Sequence, residues 1–324
     1  MPSIDRRTAL ALGAAATAGA ALPASAADKP LAGKSVLITG SSSGFGQLAA
    51  MLFARAGAKV FATMRNLPRP AADELRAVAK ADKTDITVLE LDVLSDASVA
   101  KAVAEAEKLA GGGIDILINN AGIGITGPVE VQDLEATKLA FDTNVFGPQR
   151  LIRAVLPGMR AKKSGLVFNV SSQLGRVVVP GGGHYSATKF ALEALSEQMA
   201  YELVPFGIEV CVIQPGGYPT RVWINRNGYT KALKERSNPA TLAAYPALTA
   251  RMGTEDGSGR TADPADVPRA MLEIAGMPAG TRPLRRAVHP GRKPQEAINT
   301  VSRETQLAWL GETPFGPWIK AVHD

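Results

Sequence analysis

Two side chains in the stretch GGGHYSATKFA, Tyr185 and Lys189, stand four residues apart. On a helix that spacing puts both on one face. A free phenol ionises at about 10, too high for ready proton exchange at neutral pH. A neighbouring ammonium favours the phenolate and lowers that pKa, so the pair could give a proton to an oxygen atom or take one from it. An ordinary helix start with a surface lysine would read the same way, so the surroundings must decide. Other chemistries find less support. The histidines His184, His289 and His323 are far apart, and neither HExxH nor CxxC occurs, so no metal site is expected. Cys211 is the single cysteine, which excludes an intrachain disulfide. Within IEVCVI it reads as a small apolar core residue.

The elements that must position these residues follow a βαβ rhythm. SVLIT (35–39) reads as a buried strand, followed by a helix from about Gly44 to Arg55 that ends at Gly57. KVFATM, ITVLEL, IDILIN, GLVFNV and IEVCVI read as the second to sixth strands. ADELRAVAKA, DASVAKAVAEAEKLA and the long ATKFALEALSEQMAYEL read as helices, and two more cover roughly 130–163, separated near Asn144. Short, fully apolar strands suit a parallel sheet covered on both faces. No linker rich in Pro, Ser or charge interrupts this part. A single doubly wound α/β domain with a parallel sheet of about seven strands is therefore expected over residues 28–324. Apolar residues make up 46% of the 324, ample for such a core. Residues 218–262 differ: they are polar, punctuated by Gly, Asn and Pro, with only short helical stretches. Ligands bind beyond the carboxyl ends of such strands, which makes this region a candidate substrate lid or, alternatively, an insertion without function. Its Tyr218, Trp223, Tyr229 and Tyr245 either line an apolar pocket or pack the lid onto the body.

The turn TGSSSGFG joins the first strand to the first helix through Gly40, Gly44 and Gly46. Glycines here allow a tight turn, close backbone approach to a pyrophosphate and close helix–strand packing. The helix N-terminus offers free N–H groups to phosphates. The spacing is G-x-x-x-G-x-G, and at this point the sequence resembles the short-chain dehydrogenase/reductase family in its ordinary, non-extended branch, over about residues 33–290. Further pieces match in order: Asp92-Val93, NNAG (Asn119–Gly122), Asn144, Ser172, Tyr185-x-x-x-Lys189, and PGGYPT (Pro215–Thr220). Each is short; their joint order and spacing carry the resemblance.

The resemblance implies a Rossmann fold, a nicotinamide cofactor and a catalytic group of Asn144, Ser172, Tyr185 and Lys189. Tyr185 would exchange a proton with a carbonyl or hydroxyl oxygen as hydride moves at carbon. Ser172 would bond that oxygen, and Lys189 would also hold the nicotinamide ribose. Asn144 would hold a water linking Lys189 to solvent, or else simply cap a helix. Cofactor contacts are implied for Gly40, Ser42, Ser43, Gly44, Phe45, Gly46, Arg65, Asp92, Val93, Asn119, Ala121, Gly122, Pro215, Gly216 and Thr220. After the second strand stands Thr63-Met64-Arg65-Asn66, with no acid to accept from the ribose 2′-OH of NAD. Arg65 can form charge-assisted bonds to a 2′-phosphate, so NADP is expected over NAD; the alternative has Arg65 stacking on adenine. ATMRN and DPADVPRAMLEI…PLRRAV resemble the subgroup of 17β-hydroxysteroid and retinol dehydrogenases, which implies a lipophilic ketone, aldehyde or alcohol as substrate. A homodimer or homotetramer is implied in the same way. The rival is a non-catalytic NADP-binding redox sensor or scaffold.

The formal charge is +6, with basic residues scattered except around Arg282, Arg285, Arg286, Arg292 and Lys293. No aromatic-interleaved basic stripe is visible, so nucleic acid is not an expected partner. The N-terminus reads as a leader over residues 1–27: Arg6-Arg7, an apolar run from Ala9 to Leu22 too short for a membrane span, and an A-x-A site at Ala24–Ala26. It resembles a twin-arginine export signal, which implies a periplasmic protein without a stable membrane span after cleavage. The alternative is an uncleaved Ala-rich leader on a cytoplasmic protein.

Overall fold

The apolar runs become the strands of one parallel sheet. In the computed structural model, which describes residues 29–323, the strands are β1 (Ser35–Ile38), β2 (Lys59–Met64), β3 (Ile86–Glu90), β4 (Ile116–Asn119), β5 (Gly165–Val170), β6 (Ile208–Pro215) and β7 (Arg285–Val288). Their order across the sheet is β3-β2-β1-β4-β5-β6-β7. The chain therefore winds outward from β1 to β3, returns, and winds the other way from β4. The crevice of a doubly wound sheet opens where that direction reverses, between β1 and β4. In register, Leu37 of β1 stands between Phe61 of β2 and Leu117 of β4.

Alternation along the strands feeds two apolar layers. Val36, Ile38, Ile116 and Phe168 pack with Phe53 of α1 (Gly44–Arg55), Leu75 of α2 (Pro70–Asp82) and Met271 of α10 (Asp266–Gly276). Leu37, Phe61 and Leu117 pack on the opposite face with Val103 of α3 (Asp96–Ala110), Leu151 of α5 (Gly147–Lys162) and Leu203 of α6 (Tyr185–Leu203). Covering both faces is what lets strands so uniformly apolar be soluble. Among the described residues, no helix is long and apolar enough to cross a membrane; the leader lies outside them.

Three features depart from the sequence-based expectation. The two helices placed over 130–163 are α4 (Leu134–Phe141) and α5, but a π-helical turn, Asp142–Phe146, joins them without a break. A π turn carries one residue more than an α turn and re-aims the side chain it carries; here that residue is the buried Asn144. The polar region 218–262 was expected to hold only short helical stretches, yet it contains the fifteen-residue α7 (Val222–Arg236), then α8 (Pro239–Ala244) and α9 (Pro246–Thr249). Only Thr230 and Leu233 of α7 are buried, so its sequence carries almost no apolar periodicity. Finally, β7 is half polar, with Arg285 and Arg286 leading it, which hides a strand. After it, α11 (Gln295–Leu310) and α12 (Gly316–His323) complete the chain, α12 against α6.

Four cations of the basic run near residue 285 pair with acids, two of them inside the fold. Arg282 pairs with Glu209, Arg286 with Glu273 at 2.9 Å, and Lys293 with Glu296 at 2.9 Å. Arg285 is buried between Glu193 at 2.8 Å and Glu197 at 2.6 Å, both on α6. Burial alone would raise the Glu197 carboxyl, but bonds from His323, Arg285 and Tyr201 outweigh it and hold the group at about 2. Because that lies below the unfolded value, its stabilisation is complete above the ordinary value of 4.5 and is lost as pH falls toward 2. Arg285→Met removes the one guanidinium between two buried carboxylates, so urea unfolding at neutral pH should show a loss of about 3–5 kcal/mol. The deficit should shrink in acid, where the Glu197 carboxyl takes up a proton.

Candidate active site

The carboxyl ends of β1 and β4 are stitched together. Asn120 Nδ2 donates to the Thr39 carbonyl at 2.9 Å and to that of Gly40 at 3.2 Å. The Asn120 and Ala121 amides both donate to Thr39 Oγ1 at 3.0 Å. This leaves no room for side chains: a Cβ on Gly40 would fall 2.9 Å from Ala121 Cα, and one on Gly46 would fall 2.4 Å from Asn120 Nδ2. The turn delivers the N-terminus of α1 into a cavity of about 1010 Å³. Ser43 caps α1 without a side-chain bond, and no acid stands in the first turn. Free N–H groups and an uncompensated positive dipole end fit a pyrophosphate.

Most of the expected cofactor residues line this cavity: Gly40, Ser42, Ser43, Gly44, Phe45, Arg65, Asp92, Val93, Ala121, Gly122, Pro215, Gly216 and Thr220. Gly46, Asn119 and Lys189, the last expected at the nicotinamide ribose, stand behind its wall. Gly46 packs under Asn120, and the buried Asn119 donates to Asn169 Oδ1 at 2.9 Å. At the far end Arg65 donates to the Tyr229 hydroxyl at 3.1 Å, while Arg69 donates to the Arg65 carbonyl at 3.2 Å and also lines the cavity. Sequence reasoning stopped at Arg65; the turn RNLPRP, four residues on, was the signal for the second guanidinium.

The aromatics of residues 218–262 take both of the roles left open. Tyr218 is buried between Phe45 and His289, with ring centroids 5.5 and 5.4 Å away, and its hydroxyl bonds Asp266, so it packs the start of that region onto the body while also lining the cavity. Trp223 and Tyr229 line the cavity, whereas Tyr245 bonds Glu130 at 2.6 Å outside it.

Tyr185 opens α6 and lines the cavity, as does Ser172. Ser172 caps the short 3-10 turn after β5, accepting from the Leu174 amide at 3.1 Å, which fixes its position. Lys189 lies one turn on, buried, with Nζ donating to the Val170 carbonyl at 2.9 Å and standing 5.8 Å from the Tyr185 ring centroid. Asn144 Oδ1 accepts from the Ile123 amide at 2.8 Å, and its Nδ2 donates to the Ile123 carbonyl at 2.8 Å and to Thr188 Oγ1 at 3.0 Å. Its amide thus bolts the loop after β4 to the start of α6. Gly122 fits between these groups: a Cβ there would lie 3.2 Å from Asn144 Oδ1 and 3.8 Å from Lys189 Nζ. His184 precedes α6 and does not line the cavity.

The electrostatics differ from the simple picture of an ammonium lowering a phenol. Burial raises Tyr185 above its ordinary value, and what opposes it is the Ser172 hydroxyl and the Arg226 guanidinium. Burial also lowers Lys189 to about 8, with Glu193 pulling the other way. The reason is geometric: Nζ turns to a backbone carbonyl inside the protein. Arg226 sits on α7, the helix that sequence periodicity concealed, so its approach to Tyr185 could not be read beforehand.

A doubly wound sheet with a glycine-rich turn at its switch point and a Ser–Tyr–Lys group above it defines a dinucleotide-dependent oxidoreductase. The sequence profile described as short chain dehydrogenase matches residues 34–229. Retinol dehydrogenase 8 of Bos taurus is 34% identical over 291 residues, covering 87% of this chain and 88% of that protein. The 17-beta-hydroxysteroid dehydrogenase type 1 of Homo sapiens is 38% identical over 215 residues, covering 65% of this chain and 64% of that one. A short chain dehydrogenase/reductase from Burkholderia phymatum, solved with NAD, superposes with a TM-score of 0.68 at 24% identity, covering 88% of this chain and 97% of that one; its likeness is one of fold. The chain belongs to the short-chain dehydrogenase/reductase family, whose members act as oxidoreductases on alcohols and carbonyls.

Lys189 titrates in the protein below its ordinary value of 10.5. The cost of burying its ammonium is therefore full below about 8 and fades as pH rises toward the unfolded value. The melting temperature of Lys189→Met relative to the native chain should accordingly improve as pH is lowered from about 10 to about 7, read by scanning calorimetry without cofactor.

Proposed function

We propose that this protein interconverts a carbonyl and an alcohol on a lipophilic small molecule using NADP(H), with Tyr185 moving the proton. The observation that carries this is Tyr185 and Ser172, both at the wall of the cavity into which the uncapped N-terminus of α1 opens. Gly40, Ser42, Ser43 and Gly44 would hold the pyrophosphate, Lys189 and Asn144 border the place for the nicotinamide ribose at Gly122, and Arg65 with Arg69 would take the 2′-phosphate. The nicotinamide, when bound, supplies or accepts the hydride. The substrate oxygen is then held by Ser172 Oγ and Tyr185 Oη, and the proton passes at Tyr185 Oη. A phenol raised by burial stays protonated at neutral pH, which readies it to donate and so suits the reductive direction. Leu174, Val179, Ile224, Leu248 and Met252 give the remaining wall an apolar character, in keeping with the retinoid and steroid alcohols named for the two relatives.

Tyr185→Phe should lower kcat for a carbonyl substrate by about 10²- to 10⁴-fold while NADP affinity holds within a small factor. In the native chain the KM for NADPH should be well below that for NADH. A broad carbonyl and alcohol panel without turnover, on protein that binds NADP, would favour the sensor or scaffold reading instead. We also propose that Arg6-Arg7 directs export of the folded, cofactor-loaded protein by the twin-arginine route, which explains how an NADP enzyme could work outside the cytoplasm. Fractionation with N-terminal sequencing should find a periplasmic chain beginning near Asp28; a cytoplasmic chain retaining residues 1–26 would refute this.

A further inference from the structure

The cavity wall beside Tyr185 holds a concentration of positive charge that a purely apolar substrate does not need. Trp223 of α7 lies between two guanidiniums, Arg226 at 4.3 Å and Arg260 at 3.6 Å from its ring centroid. Three arginines converge on a single carboxylate: Glu255 receives Arg226 at 2.8 Å, Arg251 at 3.2 Å and Arg260 at 3.6 Å. Arg251 is 73% exposed and is screened by solvent. Setting it aside, two guanidiniums face one carboxylate, and one positive charge is left over inside the cavity. The nearby Asp256 also feels Arg260 but is exposed, so solvent screens it as it screens Arg251. Arg226 is mostly buried, and its Nε has no hydrogen-bond partner, an open donor of a kind that buried sites rarely tolerate.

The arrangement is built by the chain around it. A Cβ on Gly217 would fall 3.0 Å from Arg260 Nε, and one on Gly257 would fall 2.6 Å from Trp223 Cδ1, so both glycines make room for the stack. It also touches the reaction centre. A Cβ on Gly124 would lie 3.1 Å from Arg226 Cδ and 3.7 Å from Tyr185 Cδ2. All five residues, Trp223, Arg226, Arg251, Glu255 and Arg260, line the same cavity as Tyr185.

We infer that Arg226 and Arg260 recognise a carboxylate on the substrate, so that the substrate class is an oxo or hydroxy carboxylic acid with an apolar body. This rests on the oxidoreductase reading and narrows its substrate. A guanidinium fork matches the two oxygens of a carboxylate, and a single surplus charge matches a monoanion. Glu255 already shows the site accepting that group, and Trp223 holds both forks flat.

The test is a titration of the NADP-loaded full chain with decanoate and with decanol, following tryptophan emission and assigning the Trp223 signal through Trp223→Phe. Decanoate should bind at least about tenfold more tightly than decanol, and Arg226→Gln and Arg260→Gln should weaken decanoate about 10- to 100-fold with little change for decanol. Arg226→Lys, which keeps the charge, should lose less than Arg226→Gln, and this comparison serves if the glutamine variant no longer binds NADP. Equal or tighter binding of decanol overturns the assignment, as does decanoate binding that survives both substitutions. Displacement of NADP by decanoate from the native chain would also overturn it, because the guanidiniums would then serve the cofactor's phosphates. Turnover of neutral ketones without decanoate binding would sink this inference alone; decanoate binding without turnover of any carbonyl would sink the oxidoreductase reading alone.

Discussion

Thr39 and Asn120 hold together the two strand ends at which the sheet reverses its winding, and the site depends on that joint. A parallel sheet brings all its strand carboxyl ends to one edge, but a crevice opens only where neighbouring strands lead away in opposite directions. There the backbone must turn sharply twice, after β1 and after β4, without burying unsatisfied polar groups. The Thr39 hydroxyl accepts two amides from the second turn, and the Asn120 amide returns two bonds to the first. With both turns pinned at glycine distance, α1 starts where a pyrophosphate can reach it, and the segment Gly122–Gly124 passes close to Lys189 and Tyr185.

The second constraint lies along α6. Tyr185, Lys189, Glu193, Glu197 and Tyr201 recur every fourth residue and form a polar stripe on one face of the helix. Lys189, Glu193 and Glu197 are buried. Burying charges is costly unless each finds a partner. Lys189 finds the Val170 carbonyl, Glu193 and Glu197 find Arg285 from β7, and Glu197 also finds Tyr201 and His323 from the last helix. The C-terminal part of the chain thus supplies the partners that let α6 carry these charged side chains inside the protein. The same burial sets the chemistry, since it keeps the Tyr185 phenol protonated and weakens the hold of Lys189 on its proton.

Much of this was legible beforehand because it is written in local patterns. Six apolar runs became six strands within a residue or two at their ends, and α3 over Asp96–Ala110 matched its reading residue for residue. Ser172, Tyr185 and Lys189 could be named because the family resemblance ties them to a strand end and a helix start. Among the elements that escaped, α7, exposed on most of its faces, and β7, opened by two arginines, have almost no apolar period, and the helices α10, α11 and α12 beyond residue 262 were not read either. In the basic run around Arg285, each of Arg282, Arg285, Arg286 and Lys293 has an acid partner. Three of those partners lie on other elements, and sequence distance hides such pairs.

The sequence by itself determined the winding of the sheet and the glycine turn, because each follows from periodicity or backbone freedom over a few residues, and its resemblance to the family singled out the candidate catalytic side chains. Only the tertiary structure decided what those side chains feel. Whether Lys189 faces the phenol or a carbonyl, whether Asn144 bolts a loop, and whether Arg226 reaches Tyr185 all depend on contacts between segments far apart in the chain. Electrostatic energy varies with distance and with exposure to water, and neither exists until the segments have packed.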